Sequence, residues 1–137
     1  MPDEVVLDAS VAIKLLLDEE GSEKAQALAA SGAQFAAPDF VLAEAANVLL
    51  KRMRRGQLSR AYAEAALERL RTLFDELVSA ESLTRRGFSI AAEHGTSAYD
   101  ALYVALAEQK RWPLATADHR LVERIRRSNL PIEIWTP

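Results

Sequence analysis

Short apolar runs alternate with helix-forming segments along the whole chain, and this alternation narrows the fold more than any other feature. Residues 4–7 are a β-branched run ending at Asp8 and read as a buried strand. Ser10 is expected to cap a helix to residue 17; Gly21 breaks it, and Ser22 starts an alanine-rich helix to residue 30. Residues 33–37 form a weak second strand stopped by Pro38. Asp39 suits the cap of a long helix over 40–55, closed by Gly56, and Ser59 that of a helix over 60–74. A third strand is expected over 76–80, then a helix from Ser82 to residue 93, ended by Gly95. Ser97 caps the next helix, which runs to residue 111 and cannot pass Pro113. Residues 114–116 are a fourth strand, Asp118 caps a helix over 119–127, and residues 132–135 are a last strand.

Strands that alternate with helices, and that are apolar throughout, belong to a parallel sheet covered on both faces. Right-handed crossovers would join them. The expected fold class is therefore α/β, with residues 1–137 forming one domain, since no linker, repeat or low-complexity segment interrupts the pattern. Half of the residues are hydrophobic, enough to fill a core at this length. Cysteine is absent, which excludes disulfides, thiolate zinc sites and cysteine nucleophiles. The opening residues Met1, Pro2, Asp3 and Glu4 lack the basic start and long apolar core of a signal peptide. The longest apolar stretch, 40–50, is broken by Glu44 and Asn47 and is too short for a bilayer. No membrane association and a cytoplasmic location are expected.

Four carboxylates stand where such a fold puts ligands. Asp8 lies at the carboxyl end of the first strand, the edge at which open parallel sheets bind ligands; it could equally serve only to start the next helix. Glu44 is the most anomalous. Its helical neighbours include Phe40, Val41 and Val48, and a carboxylate on so apolar a face needs a cation, a raised pKa, an arginine partner or exposure at the rim. Asp100 follows Ser97 at capping-box spacing, yet the run 101–107 after it is apolar, so its helix is buried and its first turn should face the sheet edge. Asp118 follows the fourth strand, and as a lone residue it is more simply a cap. A parallel sheet can bring all four to one edge, where carboxylates that repel one another need cations. Oxygen ligands without histidine or cysteine favour Mg²⁺ or Mn²⁺. Two such ions suit in-line displacement at phosphorus, with no histidine base required.

The segments VVLDASVAIKLL, LAEAANVLLK, SAYDALYVALAE and LATADHRLV resemble, in order and spacing, the four motif segments of PIN-domain nucleases, and most nearly those of VapC toxins. The resemblance runs from Val5 to the last strand. It implies a three-layer α/β/α sandwich with a central parallel sheet of four or five strands. It implies that Asp8, Glu44, Asp100 and Asp118 are both the catalytic and the metal-binding residues, with Mg²⁺ or Mn²⁺ as cofactor. Ser10 and Thr116 match the small hydroxyl positions beside the first and last acids, as substrate-positioning residues. RNA as substrate, a homodimer and a small antitoxin whose tail occupies the groove are implied as well. His119 falls at a variable position and receives no catalytic role; His94 is read as a surface residue.

A formal charge of −3 is unusual for a nucleic-acid binder. Local clusters soften the objection: Lys51, Arg52, Arg54 and Arg55; Arg85 and Arg86; Arg120, Arg124, Arg126 and Arg127. RNA needs a local patch, although each cluster also suits a solvated helix end. The alternatives are a PIN-fold nuclease of RNA processing or of DNA, a binding protein without chemistry, and a phosphoacceptor signalling domain. The last would need an aspartate after the third strand and a lysine after the last; the chain offers Glu81 and has no lysine beyond Lys110.

Overall fold

Five parallel strands in the order β3-β2-β1-β4-β5 form the centre of a computed structural model that describes residues 1–137. The strands are β1 (Glu4–Leu7), β2 (Gln34–Pro38), β3 (Glu76–Val78), β4 (Leu114–Ala115) and β5 (Ile134–Trp135). The helices are α1 (Ala9–Leu16), α2 (Ser22–Ala30), α3 (Val41–Arg54), α4 (Arg60–Thr72), α5 (Ala80–His94), α6 (Ala98–Lys110) and α7 (His119–Arg127). The α/β class and the parallel sheet expected from the alternation are present, with five strands.

Val5, Val6 and Leu7 have no exposed surface, which is why β1 reads as an unbroken apolar run: both of its faces are covered. Its register sets Val5 beside Phe35 on one side and Leu7 beside Ala115 on the other. The chain first moves outward through β2 to β3, then returns across β1 to β4 and β5. With right-handed crossovers this reversal puts α1 to α4 on one face and α5 to α7 on the other. The contacts agree: α1 meets α2, α3 and α4, while α5 pairs with α6, which lies across β1, β2 and β4. The reversal also opens the sheet's carboxyl edge between β1 and β4, the place where such folds bind ligands.

Several local expectations are corrected. Ser10 does not cap α1; Asp8 does, its Oδ1 accepting from Val11 N at 3.1 Å, because the helix begins two residues earlier than a Ser10 cap allows. Asp39 does not cap α3, whose cap residue Phe40 has a helical backbone. The Asp39 carboxylate instead accepts from Ala80 N, tying the start of α3 to that of α5. β3 stops at Val78, since α5 begins at Ala80, two residues ahead of Ser82. Ser59, Ser97 and Asp118 cap α4, α6 and α7 as expected. No helix is long and apolar enough to cross a membrane.

Candidate active site

Asp8 and Asp118 stand just beyond neighbouring strands, β1 and β4, at the sheet's carboxyl edge. Asp8 is only 7% exposed. Burial pushes its carboxyl up to about 6, against hydrogen bonds from Ser10, Thr116 and the Val11 backbone that favour the charged form; the Glu44 charge pushes the same way as burial. Ser10 Oγ donates to Asp8 Oδ1 at 2.6 Å and accepts from Ala117 N at 2.9 Å. Thr116, fully buried, accepts from Asp118 N at 3.1 Å. Asp118 Oδ1 in turn accepts from Arg120 N and Leu121 N at the start of α7. The two small hydroxyls thus lock the turn after β4 against the turn after β1, and hold both acids in place.

Glu44 and Asp100 reach the same edge from α3 and α6. Both are half-buried, and burial raises both carboxyls above their ordinary range, each with help from a neighbouring acid: Asp100 for Glu44, Asp118 for Asp100. The four expected residues are therefore brought together as a chain, Asp8 beside Glu44, Glu44 beside Asp100, and Asp100 beside Asp118. The chain is not a closed cage; no three acid or histidine side chains already converge on one point. Nor does any lysine, arginine or histidine form an ion pair with the four, although other acids find cations: Glu19 with Arg52 and Lys14, Glu108 with Arg86, and Glu76 with Lys110.

Tyr103 escapes a reading of the sequence that counts the run 101–107 as uniformly apolar. The residue is 1% exposed, and its hydroxyl donates to Glu44 Oε1 at 2.8 Å. The partner of Glu44 is therefore a neutral donor, not the arginine considered from the sequence. Burial and the adjacent Glu44 and Asp8 charges push the phenol far above its ordinary value, so it remains a donor. The available signal was its spacing, one helical turn beyond Asp100 with a polar tip. Asp8, more than Glu44, proves the more deeply buried acid, since it directly follows β1, the central strand, which lies between β2 and β4. His94 is mostly covered rather than a free surface residue, and its carbonyl accepts from Arg124.

Three helix amino termini, those of α1, α6 and α7, start at this edge, with Asp8, Ser97 and Asp118 as their caps. Their dipoles favour an anionic ligand, and the carboxylates favour a cation. A phosphodiester accompanied by hard cations satisfies both.

Comparison with known proteins agrees with this fold. The model of the PIN domain matches residues 5–127. The chain belongs to the PIN-domain family. Among the curated relatives of this PIN domain is Ribonuclease VapC3 of Pyrobaculum aerophilum, 37% identical over 122 residues that cover 88% of this chain and 93% of the relative. Ribonuclease VapC3 of Mycobacterium tuberculosis is 37% identical over 128 residues, covering 88% and 86%. The crystal structure of PAE2754 from Pyrobaculum aerophilum superposes with a TM-score of 0.68 at 25% identity, covering 88% of this PIN domain and 78% of that chain. The kinship expected from the four motif segments is established.

Proposed function

We propose that this chain is a metal-dependent endoribonuclease of the VapC type, the toxin of a toxin–antitoxin pair. One observation carries the catalytic reading: four neighbouring carboxylates, three of them raised by burial and mutual repulsion, have no cationic side chain to pair with. Such a cluster is stable as carboxylates only with cations. The all-oxygen donor set fits Mg²⁺ or Mn²⁺, and Glu44, Asp100 and Asp118 are not fully buried.

Asp8, Glu44, Asp100 and Asp118 would hold the ions. When bound, these would supply a nucleophilic water at neutral pH and screen the charge that builds on the phosphoryl and leaving oxygens. The chain's own residues do the rest. Ser10 and Thr116 fix Asp8 and Asp118, Tyr103 fixes one oxygen of Glu44, and the three helix amino termini face the phosphodiester. RNA as substrate is supported by the ribonuclease names of the 37% identical relatives. The antitoxin partner and the homodimer rest on the VapC resemblance.

The test is cleavage of RNA by purified protein with Mg²⁺ or Mn²⁺, in chelator, and by Asp8→Ala and Asp100→Asn. Cleavage should require metal and disappear in both variants while they remain folded. Metal-independent cleavage, or full activity in Asp8→Ala, would overturn the reading. Expression of wild type should arrest growth and Asp8→Ala should not; equal growth would remove the toxin role.

A further inference from the structure

Six large hydrophobic side chains are exposed: Met1, Leu50, Tyr62, Leu67, Phe88 and Tyr99. Leu50 and Leu67 line a cleft between α3 and α4, and Tyr62 lines another beside Arg52 and Arg55. Tyr99 is the one that adjoins a site acid, since it directly precedes Asp100 in the first turn of α6. It is 67% exposed.

Its placement is built, not incidental. Tyr99 and Tyr103 are four apart and share a face of α6. The Tyr99 ring leans on Phe40, with centroids 6.0 Å apart and planes inclined at 42°. Phe40 in turn packs on Tyr103 at 5.3 Å, and Tyr103 holds Glu44. Three aromatic rings thus lead from the buried end of the site out to its rim. The innermost is anchored by a hydrogen bond, the middle one is half-buried, and the outermost is open to solvent. A propped ring costs little entropy to hold in place, because tyrosine has few rotatable bonds and Phe40 limits them.

We propose that Tyr99 is a stacking platform for a nucleobase of the RNA strand, next to the phosphodiester held at the acids. This rests on the ribonuclease reading above and adds how the strand is gripped. A phosphate is a poor partner for this rim, since Asp100 and Asp118 repel it wherever no cation intervenes. A base is uncharged and presents a flat π face, and single-stranded RNA offers unstacked bases to aromatic side chains. A protein partner would need a contiguous apolar patch, whereas Tyr99 stands between Ala98 and the carboxylate of Asp100, with Phe40 as its one ring neighbour. Stacking tolerates any base, so Tyr99 would add affinity and strand register with little sequence preference.

The experiment is steady-state cleavage of a short single-stranded RNA with Mn²⁺ by wild type, Tyr99→Ala, Tyr99→Phe and Tyr99→Trp. Calorimetric Mn²⁺ affinity and thermal melting are measured beside it. Tyr99→Ala should raise KM by about ten- to a hundredfold, while Tyr99→Phe and Tyr99→Trp stay within about twofold and all four proteins bind Mn²⁺ alike. An abasic nucleotide at one position flanking the cleaved bond should cost wild type the same factor and cost Tyr99→Ala nothing more. Cleavage by Tyr99→Ala equal to wild type overturns the stacking role and leaves the ribonuclease reading intact. So does an equal loss in Tyr99→Ala and Tyr99→Phe, which would assign the effect to the hydroxyl. A wild-type protein that cleaves no RNA overturns both.

Discussion

The Tyr103 hydroxyl donates to Glu44 Oε1 at 2.8 Å, and this one bond joins α6 to α3 across the edge of the sheet. It occupies one carboxylate oxygen and leaves the other for the site. Tyr103→Phe keeps the ring that fills the core and removes only the bond. The variant should lose about 1 kcal/mol of stability and bind Mn²⁺ about tenfold more weakly, the scale at which groups behind a ligand act. Combining it with Glu44→Ala separates positioning from packing. If Tyr103 acts through Glu44, the double variant binds Mn²⁺ no more weakly than Glu44→Ala alone. Fully additive losses would exclude that route.

The raised carboxyls make a distinctive dependence of stability on pH. Asp8 rises from an ordinary 3.8 to about 6 in the folded protein. The folded state therefore takes up a proton that the unfolded chain lacks over this interval, and stability falls as pH rises through it. The full penalty is about 3 kcal/mol above pH 6. Glu44 and Asp100 shift the same way. Glu19 and Glu108, lowered by Arg52, Lys14 and Arg86, act oppositely, but only as pH drops below their ordinary range. Metal-free protein should accordingly melt at a higher temperature at pH 5.5 than at pH 7.5, and saturating Mn²⁺ should reverse the order. Asp8→Asn, which keeps the Oδ1 acceptor for Val11, should flatten the metal-free profile. Thermal melts at the two pH values decide it.

The fold and the site were legible in the sequence to the extent that the interactions behind them are local. Val5, Val6 and Leu7 announce a central strand because burial on both faces demands apolar residues at every position. Gly95 and Asp118 mark helix ends because capping is settled within a few residues. Asp39 misled for the same reason: a cap is inferred from the residues next to it in the chain, but its carboxylate is claimed by Ala80, 41 residues away. Tyr103 misled because half of it obeys the apolar pattern and the other half does not. The depth of Asp8 is not local either: Glu44 draws notice from its helical neighbours, whereas Asp8 is covered because it follows the central strand of the sheet, and no periodicity shows that.

Gly95 ends α5 with a left-handed backbone, φ 73° and ψ 20°. A Cβ there would lie 2.7 Å from Arg124 Nη1, the atom that donates to the His94 carbonyl. Gly95→Ala therefore incurs backbone strain and displaces the arginine that ties the end of α5 to α7. A loss of about 1–2 kcal/mol is expected in urea denaturation, with RNA cleavage unchanged at temperatures where the variant is folded. Loss of cleavage in fully folded protein would mean that this contact also positions Asp118 through α7.

Ser10→Ala tests whether the small hydroxyls serve the acids or the substrate. Ser10 Oγ is engaged at both ends, donating to Asp8 and accepting from Ala117 N, so it is not free to meet a phosphate. Removing it deletes a bond that favours ionised Asp8, and the carboxyl should move above about 6. Because Mn²⁺ competes with that proton, the pH at which Mn²⁺ binding is half-maximal should rise in step. The loosened turn after β4 should lower affinity at every pH as well. A direct role in substrate binding makes a different prediction: KM for RNA would rise while the pH profile of Mn²⁺ binding stayed where it is in wild type. Calorimetric Mn²⁺ titrations between pH 5 and 8, set against KM for RNA, separate the two.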